Sequence, residues 1–293
     1  MKVIYLTALL CTMATSLYAQ PTNADSTKAT SPPNDTIRIG SIIIIKQNKR
    51  GKDTTNLAKA STAPKKNKKL STNYFVLDVG FADWVDNTNY ATAGNAIINR
   101  PGTVAFSQAD MRLKAGRSAN INLWLFMQKL ALVKNNVNLK YGFGVEWHNY
   151  NFRGSTSFKE SGLLPNGSGT TTNTPFVFRD SISFSKNKLN LKYVSVPLLL
   201  NFASNKLNNK SRLSASVGVS AGYLIRQRNK QISTDRDKQK NQGDFDMQKF
   251  RLSYIGELGL GPVRLYGSYS PNSLFANAID VRPYTIGIRF SNW

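Results

Sequence analysis

Cysteine is almost missing from this chain: Cys11 is the only one among 293 residues. A lone thiol forms no internal disulfide, so the fold must rest on packing and hydrogen bonding. Long apolar runs are missing too. No segment reaches the roughly 18 apolar residues of a membrane helix, which excludes helical spanning and leaves spanning by strands open. Acidic residues are few, 16 against 39 Lys and Arg, for a net charge of +23. No phosphate-cradling glycine loop, zinc motif or acid–base pair stands out, and no cofactor is expected.

The opening MKVIYLTALLCTMATSLYAQ has a basic head at Lys2, an apolar run and small residues before Gln20. It predicts a secretory signal peptide over 1–19. Leu10 before Cys11 does not suit a lipoprotein anchor. Export removes nucleic acid from consideration and makes anionic lipid or phosphosugar surfaces the counterpart of the positive charge. Residues 20–71 carry 11 basic and 3 acidic residues, too polar to bury a core, and are expected to form a flexible basic arm. Within the arm, IRIGSIIIIK at 37–46 has strong β character. It suits a short local strand, or pairing with the exposed strand edge of a periplasmic or secretion partner.

From Tyr74 onward the texture changes. In VNLKYGFGVEW, residues 137–147, Val, Leu, Tyr, Phe, Val and Trp alternate with Asn, Lys, Gly, Gly and Glu. A period of two is a strand with an apolar medium on one side only. Eight such strands are predicted, at 74–84, 117–129, 136–152, 188–203, 211–226, 249–260, 263–270 and 283–292. Their connections run 32, 6, 35, 7, 22, 2 and 12 residues, long and short in turn. Outer-membrane barrels sort their turns and loops this way. The expected fold is an all-β, eight-stranded antiparallel up-and-down transmembrane barrel over 72–293.

The apolar faces carry no charge. Phe75 to Phe81, Ile121 to Met127 and Tyr284 to Phe290 contribute to them, and aromatics including Trp84, Trp147 and Tyr223 sit toward strand ends, as in interfacial belts. KLNLKYVSVPLLLNF changes parity after Tyr193, so a bulge near Tyr193–Val194 is expected to keep one face dry. A membrane barrel makes Phe143→Arg costly, since Phe143 then faces lipid.

INLWLFMQKLALVKNNVNLKYGFGVEWHNYNF at 121–152, KYVSVPLLLNF at 192–202 and YTIGIRF at 284–290 resemble the PorT-like family of outer-membrane β-barrels. The resemblance implies an eight-stranded barrel inserted by the barrel assembly machinery. It also implies an association with protein secretion, the namesake's role. SNW after Phe290 departs from the usual terminal aromatic.

Candidate site residues follow from the inner face. Asp78, Glu146 and Glu257 oppose Lys140, Lys192, Arg251, Arg264 and Arg289 across a lumen too narrow for bulk water, which predicts a salt-bridged polar plug. A narrow gated channel is the alternative. His148, the only histidine, is expected at the membrane interface. The competing reading is a lipid A-modifying enzyme in which His148 works with Glu146 and Ser155. Asp83, Asp86, Asn87 and Asn89, like Asp244 and Asp246, read as turn chemistry rather than calcium ligands. The third long loop carries Arg226, Arg228, Lys230, Arg236, Lys238 and Lys240, suited to outer-membrane lipid and the phosphates of lipid A. The arm and the C-terminus are expected in the periplasm.

Overall fold

The structure is a computed structural model and describes residues 36–39, 42–45, 69–133, 136–204, 213–260 and 263–291. The chain divides into two units, 1–64 and 65–293. In the first, Thr36–Ile39 and Ile42–Ile45 pair antiparallel with each other, Thr36 opposite Ile45. The signal segment and the rest of the arm up to Lys68 lie outside the described residues.

The second unit contains β1 (Leu70–Asp86), β2 (Ala119–Val133), β3 (Val137–Asn151) and β4 (Lys186–Ala203). It continues with β5 (Leu213–Ser233), β6 (Phe250–Leu260), β7 (Val263–Tyr269) and β8 (Val281–Phe290). Each strand pairs antiparallel with its neighbour in sequence, and β8 closes on β1 with Arg289 opposite Asp78. The result is an eight-stranded up-and-down barrel, and closure removes every sheet edge from the ring. The long connections 87–118, 152–185, 234–249 and 270–280 gather at one end, the loop end. The short ones gather at the other, the turn end.

One connection differs from expectation. β5 runs on to Ser233, and Asp237–Gln242 folds back to pair with it, Arg228 opposite Gln242. The third loop is therefore mostly a β-hairpin that prolongs the wall.

Outward-pointing side chains form an apolar surface around the ring. Phe75, Phe81, Val217, Leu258, Leu265 and Ile286 are each more than half exposed. An apolar surface of this extent is stable only against hydrocarbon. Trp84 does not join it: the ring points inward and is buried.

Three register irregularities interrupt the described wall, and two of them, at Leu125 and Ile225, reset which residues face in. Against β3, Leu125 is the extra residue between Trp124 and Phe126. Its β1 neighbour Phe75 adopts a left-handed φ of 54°. A bulge turns the following residues over, so Met127 is buried inside rather than lipid-facing. The expected bulge in β4 lies on its partner. Lys192 opposes Arg226 and Tyr193 opposes Leu224, leaving Ile225 of β5 as the extra residue. β4 keeps one register against β3 throughout. Leu189, Leu191 and Tyr193 consequently point inward, while Val196, Leu198, Leu200 and Phe202 point out.

Candidate functional site

The lumen is filled in two layers. Alternation along β1, β3, β6, β7 and β8 aims Asp78, Lys140, Glu146, Arg251, Glu257, Arg264 and Arg289 inward, and all are buried. Arg289 grips Asp78 with a fork, Nε donating to Oδ1 at 2.6 Å and Nη2 to Oδ2 at 2.7 Å. Its third nitrogen donates to Glu257. Glu257 Oε2 also accepts from Lys140 Nζ at 2.7 Å and Ser216 Oγ at 2.9 Å. Arg264 Nη1 donates to Ser214 Oγ at 2.9 Å. Such planar, bidentate pairing is what offsets the cost of taking ions out of water.

A second group sits nearer the loop end. Arg251 donates through Nη2 to Glu146 and through Nη1 to His148 Nε2 at 2.8 Å, and its guanidinium lies 4.1 Å from the centre of the Tyr193 ring. A guanidinium can only donate, so toward Arg251 the ring nitrogen Nε2 is an acceptor; the same nitrogen lies 3.2 Å from Glu146 Oε2, and Nδ1 lies 3.4 Å from Tyr150 Oη. Asparagines join the two groups. Asn122 donates to Asp78 Oδ2 at 3.2 Å, Asn120 donates to Asn122 Oδ1 at 2.7 Å, and Asn120 Nδ2 lies 3.3 Å from His148 Nε2. Tyr266 Oη donates to Asn120 Oδ1 at 2.5 Å across the barrel. It gets there over Gly80 and Gly287, which face each other on β1 and β8. A Cβ on Gly80 would stand 2.8 Å from Tyr266 Oη.

Above this lies an apolar layer. Leu189, Leu191, Tyr150 and Trp84 rise from the wall, and Phe106, Met111, Phe158, Phe245 and Phe275 come down from the connections. Phe158 stacks on Phe275 at 6.2 Å and tilts against Phe152 at 5.5 Å. The connections are tied above it. Arg179 forks onto Asp110 at 2.6 and 2.5 Å, joining the first long connection to the second.

Lys192 is the one predicted lumen charge that the structure places elsewhere. It shares the outward parity of Trp147, its ladder partner, and its ammonium lies 5.8 Å from the centre of a Trp147 ring. Its parity is opposite to that of Leu189, Leu191 and Tyr193, and those three face the lumen rather than lipid. His148 is corrected as well: it is not interfacial but buried inside, on the same face of β3 as Lys140 and Glu146. Ser155 does not join it. That residue lies in the second connection, where its carbonyl accepts from Asp180 N, and Ser220 Oγ donates to Glu146 Oε1 at 3.5 Å.

In the basic hairpin, Arg226, Arg228 and Lys230 point outward from β5, with Lys238 and Lys240 on the returning strand. Arg236 stands apart in an ion pair with Asp180 at 2.9 Å. The aspartates considered for calcium hold local structure instead. Asp83 accepts from Trp84 N, and Asp86 from Thr88 N and Tyr90 Oη. Asp244 accepts from Lys249 and Gln227, and Asp246 from Asn277. Asn120, Asn122 and Tyr266, the links of the network, were not singled out as site residues. Their signal was present: both asparagines share the inward parity of β2.

A ring closed on itself, apolar outside and charged inside, defines the class: a membrane-embedded β-barrel. Residues 102–277 match the family described as outer membrane protein beta-barrel domain, and the chain belongs to it. No functionally curated protein matches the chain.

Proposed function

We propose that this outer-membrane barrel is a closed, non-enzymatic protein of the PorT-like type, with a structural, assembly or secretion-associated role. The observation that supports this reading best is the doubly filled lumen. An ion-paired layer lies beneath an apolar one, in a barrel whose width only just accommodates side chains. Such filling favours a plugged lumen over a channel. It also argues against the lipid-modifying alternative, because His148 lies beneath the apolar layer with its Nε2 taken by Arg251.

In this reading the barrel assembly machinery inserts the mature chain after removal of 1–19. The loop end then faces outward, and the arm and C-terminus face the periplasm. Lipid and lipid A phosphates surround the wall, and the 37–46 segment is available to a periplasmic or secretion partner. Planar-bilayer recording tests closure: folded protein should be silent, and discrete conductance steps would overturn the reading. Turnover of lipid A by the wild type, lost in His148→Ala, would overturn the non-enzymatic assignment.

A further inference from the structure

We propose that the outer wall of β3–β5 at the loop end is a binding site for a bisphosphorylated glycolipid headgroup of the lipid A kind. This rests on the reading that the loop end faces outward, and it assigns the lipid partner to a defined surface.

Lys188 of β4 stands opposite Lys230 of β5, and Lys230 stands opposite Lys240 of the returning hairpin strand. Like charges directly opposite each other weaken a sheet, yet here three stand in a row. Next to them, Lys192 opposes Arg226. None of these five makes an ion pair among the described residues. Other cations at the same end do: Lys249 pairs with Asp244 at 2.5 Å, and Arg282 with Asp280 at 2.9 Å. Arg228, in the same cluster, keeps its Nε buried and without a hydrogen-bond partner. A surface so arranged is complementary to a polyanion.

Its height and shape select the anion. The apolar band ends at Tyr223 and Ile225 on β5 and at Val194 on β4, and Lys192 against Trp147 marks the boundary. The Lys188 row begins four residues further on, about 13 Å along a strand and about 9 Å in height at a tilt of about 45°. That is headgroup depth rather than open water. Beside the row is a cavity of about 380 Å³ lined by Lys114, Arg117, Asn149, Asn151, Lys186 and Lys188. It offers charge for a phosphate and amide groups for a sugar, within the size range of ligand sites.

The test uses the full mature chain folded in nanodiscs, with bisphosphorylated lipid A and its enzymatically dephosphorylated form as probes. Affinity for the first should exceed that for the second by tenfold or more. Lys188→Gln/Lys230→Gln should remove most of that difference, while Arg282→Gln, at the same rim but outside the patch, should leave it intact. Equal binding of both lipids by the wild type would overturn the proposal, and so would equal weakening by Arg282→Gln. Full competition by millimolar inorganic phosphate would overturn the lipid assignment in favour of a free-anion site. Ser168→Cys, at an exposed position of the second connection, separates the two readings. If an impermeant maleimide labels it in intact cells and lipid discrimination is absent, only the headgroup site fails. Labelling only after permeabilisation would overturn the orientation and the site together.

Discussion

The turn-side and loop-side halves of the lumen are filled by opposite chemistry. Toward the turns, Arg289, Asp78, Glu257 and Lys140 depend on one another, each ion holding at least one other in place. Toward the loops, Leu189, Leu191, Phe158 and their neighbours pack without mutual bonding requirements. The difference shows that a narrow barrel need not have a uniformly polar interior. Where strands alone enclose the space, paired charge fills it. Where the connections can fold inward, they bring a hydrophobic core with them, as in a soluble domain. The two halves should therefore fail differently.

The ionic half should fail hardest. Arg289→Met leaves Asp78 and Glu257 buried without their shared cation, which should cost about 3–5 kcal/mol in urea unfolding from liposomes. Adding Asp78→Leu should recover part of that loss, because the stranded charge goes with it. A double variant no more stable than the single would show that the pair is not the source. The apolar half should lose somewhat less and lose it locally. Leu191→Ala should cost about 2–5 kcal/mol, accompanied by faster proteolysis within 152–185. If its cleavage pattern matches that of Arg289→Met, the halves are one cooperative unit and the contrast fails.

How much of this was legible in the sequence follows from the same contrast. Alternation of polar with apolar residues gave all eight strands and their sequential order, because in most of the wall only one face is apolar. It also put Asp78, Lys140, Glu146, Arg251, Glu257, Arg264 and Arg289 on one side. It failed where both faces are apolar. Leu191 inside and Val196 outside are the same kind of residue, so parity alone could not tell lumen from lipid, and Lys192 was misassigned with them. Bulges were the second obstacle. A single extra residue at Leu125 turns Met127 inward, and one at Ile225 shifts the β4–β5 register, with no marker in composition at either place. His148 is a different kind of miss. Its parity with Glu146 was plain, but its position near the strand end suggested an interface, and only the apolar layer above it makes that depth interior.

The wall offers a second comparison, between residues facing lipid and those facing the lumen on one strand. Phe143 points outward from β3, its ring 6.5 Å from that of Phe126 on β2. Arginine there should cost about 2–4 kcal/mol if the position lies near mid-bilayer, measured by the same unfolding experiment. The effect should shrink when the protein is moved into a thinner bilayer, since the charge can then reach water. A bilayer-independent loss would point to the Phe126 contact instead of lipid.

The smallest effect belongs to Lys192, and its smallness is informative. Inside the lumen, removing a lysine from a network like that of Lys140 would strand a carboxylate and cost several kcal/mol. On the wall, the Lys192 ammonium has an indole for company and water or headgroups within reach, so Lys192→Ala should cost about 0.5–1 kcal/mol. The emission of Trp147 should shift in that variant, whereas Lys140→Ala should leave it in place. A loss at Lys192 as large as that at Lys140 would return it to the lumen. It would also require β4 to be turned over relative to β3, which the continuous register from Lys188 to Phe202 does not allow.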